Sequence, residues 1–332
     1  MLVIFLLEEE LPEKITEKVS EISYNIEGIN DRSRDYIRDI VILINKEIGI
    51  NKILSIILFG SQQHKKENTA VSDCDLLLIF KDRVSNHHIR EIEKYFIALE
   101  IKHKFAEPNT NIVHYILGVL QKSTGMFISH FLTKRKYWEN ANFPKIFQVN
   151  KVFSGIFAPR NIVLGNVVLN STILYGEDLR HKLKPKIKIT IFEIFRSMVM
   201  NLFISFFSLF IAPFKNLNPV KYQLEAIKWS LKSSNYFGFR DSVSLIKITD
   251  RIISMERKRK RKKARNYYEK FLSLRRVPTK KDLYFMIRSP IRILKIHGKA
   301  ITYRRLLENR STLIKAKPES EVSSFRTFPV RL

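Results

Sequence analysis

Two short apolar runs stand out in the first third of the chain, one from Ile53 to Phe59 and one from Cys74 to Phe80. The first run is rich in β-branched residues and is followed at once by Gly60-Ser61. Short apolar runs bounded by turn residues are typical of central strands that are buried on both faces. The sequence therefore predicts two core strands, with the polar stretch Gln62 to Ser72 between them.

Apolar residues at helical spacing surround these strands. In the first half of the chain they predict helices over 12–50 (with a break near 28–31), 86–100 and 124–138, and an apolar run predicts a third strand at 111–117. Beyond residue 180 little strand signal remains, and prolines separate successive helical patterns. These later helical patterns cover 188–212, 219–234, 241–275 and 280–310.

The length of the chain and the distribution of its charge also favour a division near residue 180. With 332 residues the chain is long enough for two domains that each bury a core. Residues 1–180 carry 23 basic and 22 acidic side chains, whereas residues 181–332 carry 36 and 10 and hold nearly all of the net charge of +27. We therefore expect a domain of strands and helices over 1–180, followed by a basic all-α domain over 181–314. Residues 315–332 are predicted to form a flexible tail.

The excess of positive charge limits the partners that suit the C-terminal half. A surface this cationic repels itself unless an anion compensates it, so nucleic acid, an acidic lipid surface and an acidic protein are the candidate partners, with RNA favoured. Well-solvated lysines without a partner are the alternative. The aromatic fraction of 11% and the 10 glycines exclude a disordered, collagen-like or low-complexity chain.

Cysteine content and apolar segments indicate a cytoplasmic protein. The single cysteine, Cys74, excludes an intramolecular disulfide framework and a multi-cysteine zinc site, which fits a reducing compartment. The apolar N-terminus lacks the basic residues and the cleavage site of a signal peptide. A later apolar segment, Met198 to Pro213, is shorter than the ~20 residues needed to span a membrane, so we expect a buried helix and no transmembrane segment.

Candidate chemistry lies at the residues that border the two predicted strands. Because strand side chains alternate, Asp73 and Asp75 emerge on one face and Cys74 on the other. Two carboxylates on one face repel each other, and a hard, oxygen-seeking cation such as Mg²⁺ or Mn²⁺ relieves that repulsion. Gly60 lets the backbone approach a ligand closely, and the Ser61 hydroxyl with nearby helix amides can hold phosphate. Together these residues predict a site for a metal-bound nucleoside triphosphate.

This arrangement resembles the DNA polymerase β-like nucleotidyltransferase superfamily, which carries Gly-Ser after one strand and Asp-x-Asp on the next. Gly60, Ser61, Asp73 and Asp75 match that pattern in order and spacing, and the resemblance covers about residues 50–118. It implies that Gly60 and Ser61 bind the triphosphate and that Asp73 and Asp75 bind Mg²⁺. It also implies an α+β fold, in which a minimal nucleotidyltransferase-type domain with a mixed sheet and a core at 50–118 is followed by a helical domain. The implied reaction is transfer of a nucleoside monophosphate to an acceptor hydroxyl with release of pyrophosphate.

The sequence departs from the family pattern at the third carboxylate, which members usually carry on a later strand. The predicted strand at 111–117 has none, so Glu107, with Glu100 as a weaker alternative, is the candidate third ligand or general base. Asp178, near the predicted end of the domain, is a further weak candidate, although a helix cap explains it equally well. If none of these carboxylates reaches the site, the domain is a scaffold that has lost catalysis.

A run of cations lies in the middle of the basic half. Helical side chains at this density point in every direction, so we expect the run to bind phosphate backbones. The nearby aromatic residues Tyr267, Tyr268 and Phe271 are expected to stack on bases. The predicted nucleic-acid-binding residues are Arg257, Lys258, Arg259, Lys260, Arg261, Lys262, Lys263 and Arg265.

Two alternatives to a transferase stay open. In the first, a catalytically degenerate nucleotidyltransferase fold is a nucleic-acid-binding module. In the second, the helical half is a HEPN-like RNase. Helical partners of minimal nucleotidyltransferases often resemble the HEPN domain, some members of which cleave RNA through an Arg-x4-6-His motif. Arg292 and His297 have this spacing, although Ile293 stands where that motif usually carries a polar residue.

Overall fold

The structure is a computed structural model, and it describes residues 29–60, 74–105, 129–214, 218–277 and 282–316. These residues divide into two compact units. The first unit contains the described residues up to Ile156 together with Val167–Lys188, and the second contains Phe157–Asn166 together with the described residues from Ile189 onward. The domain boundary predicted near residue 180 stays a prediction.

The first unit is built on a mixed sheet. Its strands are β1 (Ile53–Phe59), β2 (Asp75–Phe80), β3 (His130–Lys134) and β4 (Ser171–Gly176). They lie in the order β3-β2-β1-β4, with β2 and β4 antiparallel to β1 and with β3 parallel to β2. The helices before residue 190 are α1 (Asp31–Glu47), α2 (Asn86–Lys102), α3 (Arg135–Glu139), α4 (Phe143–Ile146), α5 (Lys151–Ile156), α6 (Arg160–Leu169) and α7 (Arg180–Leu183).

The two central strands are those that the apolar runs predict. β1 is buried along its whole length, and β2 is buried from Leu76 onward. Their register pairs Ile57 with Leu77 and Phe59 with Asp75. The predicted α+β class, with a mixed sheet followed by helices, is therefore confirmed.

Helices α1 and α2 share one hydrophobic core with the sheet because each has an apolar side. The side chains of Asn30 and Ser85 cap these helices by accepting hydrogen bonds from Ser33 N (2.8 Å) and His88 N (3.1 Å). The apolar sides of both helices pack in this core with alternate residues of the segment that begins at Cys74. Cys74 itself is fully buried in this core.

Two strands differ from the elements that the sequence predicts. The helix predicted over 124–138 is wrong for His130–Lys134, because these residues are all buried and pair with β2 as strand β3. A helix begins only afterwards, at Arg135. No element was predicted at β4, whose burial is uneven along its length. The strand predicted at 111–117 lies outside the described residues.

The second unit is helical in its described part. Its helices from residue 190 onward are α8 (Ile191–Ile211), α9 (Pro219–Phe239), α10 (Leu245–Ser254), α11 (Lys258–Arg276) and α12 (Leu283–Ala316). Helices α8, α9 and α12 pack against one another. The single helix predicted over 241–275 is wrong, because a non-helical break at 255–257 separates α10 from α11. Glu256 lies in that break and forms ion pairs with Arg292 (3.6 Å) and Lys299 (3.4 Å).

Helix α8 also differs from the buried helix predicted at 198–213. It lies at the surface of its unit, and five of its phenylalanines are between 49% and 72% exposed. Among the helices in the described ranges, α8 alone is long and apolar enough to cross a membrane, and one such helix is weak evidence for a span. The prediction of a buried helix is wrong because these phenylalanines face outward, whereas Ile194, Ile204 and Ile211 pack inward.

Candidate active site

Gly60 and Asp75 meet at one edge of the sheet. Strand β1 ends at Phe59, whose partner across the strand pair is Asp75, the first residue of β2. Gly60 has a φ of +83°, a conformation that residues with a side chain rarely adopt. A Cβ atom at this position would lie 1.9 Å from Oδ2 of Asp75. Glycine therefore allows the Asp75 carboxylate to lie directly against the backbone.

Strand alternation directs Asp75 away from the core shared with α1 and α2. Cys74 is fully buried among the core residues, whereas the adjacent Asp75 is partly exposed. Magnesium and manganese ions prefer carboxylate oxygens as ligands. A partly exposed carboxylate that lies against the glycine backbone is therefore a suitable first ligand for either ion.

Asn170 is a third residue at this edge of the sheet. It immediately precedes β4, and the pairing of Phe59 with Ser171 brings it near the end of β1. Its Nδ2 donates to the carbonyl oxygen of Gly60 over 3.5 Å. The sequence holds only a weak signal for this residue, a single amide before a short apolar stretch, and Asn170 was not among the predicted site residues.

Three predicted site residues, Ser61, Asp73 and Glu107, lie outside the described residues, and their roles stay predictions. Within the described ranges, no three His, Cys, Asp or Glu side chains cluster in a way that suits a metal ion. A cation bound at Asp75 therefore needs further ligands from the rest of the chain, from the nucleotide or from water.

Glu100 lies near the end of α2 and has two buried partners. Its Oε1 accepts a hydrogen bond from Ser129 N (3.1 Å) and lies 2.8 Å from Nδ1 of His130. Burial and, next, the negative charge of Glu100 raise the pKa of Tyr36 well above its usual value, with a smaller contribution from Asp75. The charges of both carboxylates therefore disfavour ionisation of the buried Tyr36 phenol. Glu100 stays a weak candidate for the site.

The Asp178 carboxylate is hydrogen-bonded to the guanidinium of Arg180. Its Oδ1 accepts a hydrogen bond from the arginine Nε (2.8 Å), and its Oδ2 accepts one from Nη2 (2.6 Å). These hydrogen bonds lower the pKa of Asp178 to about 2. Asp178 follows Gly176, which pairs with Ser55 near the opposite end of β1 from Gly60. The carboxylate thus has a structural partner of its own, and Asp178 stays the weakest candidate.

The predicted nucleic-acid-binding cations lie in the first turns of α11 and just before it. Arg261 is half-buried because its Nε donates to the carbonyl oxygen of Glu256 (3.1 Å). The expectation that Tyr267, Tyr268 and Phe271 stack on bases is wrong, because all three rings are buried. The cations that are exposed are Arg257, Lys258, Arg259, Lys260, Lys262, Lys263 and Arg265.

His297 is buried, which removes the basis for the nuclease alternative. Its Nδ1 lies 2.9 Å from the carbonyl oxygen of Ile293, and its Nε2 lies 3.1 Å from Oγ of Ser197. Burial lowers the pKa of His297 to about 4. Arg292, the other residue of the motif, forms its ion pair with Glu256. A neutral histidine with no exposed surface does not reach an RNA backbone.

No family model and no curated protein matches this sequence. Among solved structures, the chain is similar to spectinomycin adenyltransferase AAD(9) from Enterococcus faecialis, which was crystallised with ATP and spectinomycin. The two chains are 9% identical, the match covers 80% of this chain and 98% of that one, and the TM-score is 0.46. The function proposed for this protein therefore rests on its own residues and geometry.

Replacing Gly60 by alanine is expected to lower the free energy of unfolding by about 1–2 kcal/mol and to displace the Asp75 carboxylate. The added methyl group would strain the backbone at positive φ and would occupy the space of Oδ2. Gly49→Ala is the matched control, because Gly49 also has positive φ (+89°) but precedes the other end of β1. Urea unfolding and nucleotide binding are measured for both variants. Loss of nucleotide binding in Gly49→Ala as well would contradict a local role for Gly60.

Proposed function

We propose that this protein is a nucleotidyltransferase that uses Mg²⁺ or Mn²⁺ and transfers a nucleoside monophosphate from a nucleoside triphosphate to an acceptor hydroxyl. The main support is the contact between the Gly60 backbone and the Asp75 carboxylate at one edge of a mixed sheet. In the sequence, Ser61 and Asp73 stand beside these residues and complete the Gly-Ser and Asp-x-Asp pattern.

The donor chemistry of this edge fits a hard divalent cation. Asp75 presents carboxylate oxygens against the Gly60 backbone, and Asp73 would add a second carboxylate. When bound, the cation would neutralise phosphate charge and stabilise the attacking and leaving oxygens.

Each residue of the site has one role in the proposed reaction. Asp73 and Asp75 hold the cation, and the backbone at Gly60 and the hydroxyl of Ser61 bind the triphosphate. Glu107 accepts the proton of the acceptor hydroxyl. The acceptor oxygen forms a bond to the α-phosphorus, the bond from that phosphorus to its bridging oxygen breaks, and pyrophosphate leaves.

RNA is the acceptor that we propose, on the basis of charge. Residues 181–332 hold 36 basic and 10 acidic side chains, and most of the cations at the start of α11 are exposed. Contacts from such cations to phosphates bind without sequence preference and weaken steeply as salt rises. Because the neighbouring aromatic rings are buried, we expect this segment to bind the RNA backbone rather than the bases.

The test is a transfer assay with the purified full chain, total cellular RNA and total cellular protein. Each nucleoside triphosphate is supplied with its label at the α-phosphate or at the γ-phosphate, with Mg²⁺ or Mn²⁺, and with or without a chelator. Nucleotidyl transfer predicts a labelled acceptor from the α-labelled form alone, and no labelled acceptor in the presence of chelator. Label from the γ-labelled form alone would indicate a kinase and would reject the proposal.

Two variants assign any labelled product to the proposed site. The product is expected to disappear with Asp73→Ala/Asp75→Ala and to persist with Asp82→Ala, because Asp82 is an exposed carboxylate beyond the other end of β2. Absence of label with every nucleotide, together with salt-sensitive RNA binding by all three proteins, would reject the transferase. The nucleic-acid-binding module would then be the remaining function.

A further inference from the structure

The outer side of helix α8 is more apolar than is expected for a surface helix of a water-soluble domain. Its inner side carries polar residues beside three isoleucines, and all of them are buried: Ser197, Asn201, Ser205 and Ser208, with Ile194, Ile204 and Ile211. In a water-soluble domain the apolar side of a surface helix is the one that packs inward. The outer side of α8 instead exposes large aromatic residues, which are Phe192, Phe195, Phe203, Phe206 and Phe210.

Hydrogen bonds fix this orientation of α8. The hydroxyl of Ser197 lies 2.6 Å from that of Ser233 on α9, and Nε2 of Gln223 donates to Oγ of Ser205 over 2.5 Å. Rotation of α8 to bury its phenylalanines would break these bonds and leave buried polar groups without partners, which is costly. Small hydroxyl residues that bond across a helix interface are also typical of helices packed in lipid.

Helix α12 carries a second apolar stripe. Tyr284, Ile287, Ile291 and Leu294 follow one another at spacings of three and four residues, and each is exposed. Contacts between α8 and α12, direct and through α9, show that the two helices run antiparallel over the same length of the unit. The second unit therefore exposes apolar side chains along two packed helices.

The described residues of this unit expose many more cations than acids. Lys295 is exposed within the stripe of α12, Lys221 is exposed at the start of α9, and the guanidinium of Arg288 lies 3.8 Å from the centre of the Tyr284 ring. Exposed acids are few in the described part of this unit, and they are Asp250, Glu269 and Glu308. Exposed apolar stripes among cations complement a partner whose surface is anionic and whose interior, just beneath that surface, is apolar.

We propose that α8 and α12 dock the second unit on the surface of an anionic lipid bilayer. The phenylalanines enter the boundary between headgroups and acyl chains, and the cations contact the lipid phosphates. A second copy of this chain fits less well, because two such faces would bring like charges together. The helix lies on the bilayer and does not cross it, because Glu193 is buried on its inner side and that side packs on α9 and α12.

Flotation of the full chain with vesicles tests this proposal, which is independent of the proposed transfer reaction. The vesicles contain phosphatidylcholine alone or phosphatidylcholine mixed with phosphatidylglycerol. The wild-type protein is expected to float with the mixed vesicles, and Phe206→Ser/Phe210→Ser is expected to bind them at least ~10-fold more weakly. The matched control is Val152→Ser/Ile156→Ser, which replaces two exposed apolar residues of α5 in the first unit and should float like the wild type.

Each other outcome overturns the proposal. Equal flotation of the wild type and Phe206→Ser/Phe210→Ser would show that the aromatic face is not used, and equal flotation with both vesicle types would show that anionic lipid is not required. Absence of flotation by the wild type would reject a lipid partner. A wild-type dimer that becomes monomeric in the same variant, measured by light scattering, would assign the face to a second copy. Thermal unfolding is expected to be alike in all three proteins because the replaced side chains are exposed.

Discussion

Asparagine in place of Asp75 is expected to lower the rate of nucleotide transfer at least ~1000-fold, which corresponds to about 4 kcal/mol of transition-state stabilisation. Asparagine keeps the size of the side chain that lies against Gly60, so the β1–β2 edge stays packed. It removes the negative charge that attracts a divalent cation and the phosphates bound to that cation. The measurement is kcat/KM for transfer of the α-labelled nucleotide to the acceptor that the transfer assay identifies.

Asp82→Asn is the control for this substitution and is expected to keep the wild-type rate. Thermal unfolding with Mn²⁺ and ATP gives a second readout, since a ligand at 100 times its Kd adds ~2.7 kcal/mol to the free energy of unfolding. The wild type and Asp82→Asn should show this gain, and Asp75→Asn should not. A rate for Asp75→Asn above roughly a tenth of the wild-type value would show that Asp75 holds no essential metal ion.

Lowering the pH from ~7 to ~5 is expected to destabilise the second unit by about 2 kcal/mol through His297. Burial lowers the pKa of this histidine to about 4, whereas a histidine in the unfolded chain has a pKa of ~6.5. At a pH between these two pKa values, His297 binds a proton in the unfolded chain but not in the folded chain. The stability contributed by neutral His297 is therefore complete above about pH 6.5 and is lost as the pH falls towards 4.

His297→Gln isolates this effect because glutamine does not titrate. Its free energy of unfolding is expected to change by about 2 kcal/mol less than that of the wild type over the same pH interval.

A buried carboxylate with a lowered pKa affects stability at lower pH than His297 does. Burial opposes ionisation of Glu225, but the charges of Lys228 and Arg275 outweigh it and lower its pKa to about 2. Its contribution to stability is therefore lost only below about pH 4.5.

Tryptophan fluorescence can follow the second unit alone. The chain has 2 tryptophans, Trp138 in the first unit and Trp229 in the second. Urea unfolding in a Trp138→Phe background therefore reports on Trp229, with and without His297→Gln. An equal loss of stability at low pH in both proteins would show that folded His297 accepts a proton freely and would contradict its burial.

Elements with a strong local pattern could be predicted from the sequence, and elements that depend on a distant partner could not. The apolar runs of β1 and β2 and the periodicity of α2 are properties of short segments. β3 becomes a strand because it pairs with β2, which lies about fifty residues earlier, and its own sequence also fits a helix. The site divides in the same way, since Gly60 and Asp75 border predicted strands, whereas Asn170 reaches the site only through the pairing of β4 with β1.

Helix α8 shows a second limit of sequence patterns. Its apolar composition correctly predicts a helix, and in a soluble domain such a composition usually indicates burial. On the side that packs inward, serine and asparagine side chains bond to α9, to α12 and to one another, beside three buried isoleucines. Periodicity identifies the two sides of a helix, but the partners on other helices decide which side faces inward.

The pairing of β1 with β4 sets the order in which the first unit can form during synthesis. The two strands are separated by about 110 residues, so β1 has no neighbour on one side until that length of chain has left the ribosome. At about 5–20 residues per second, this interval lasts on the order of 5–20 seconds. During that time an apolar strand presents free amide and carbonyl groups, which is the kind of edge that recruits other chains. Fragments that end before residue 171 should therefore aggregate or depend on chaperones, whereas the full chain completes its own sheet.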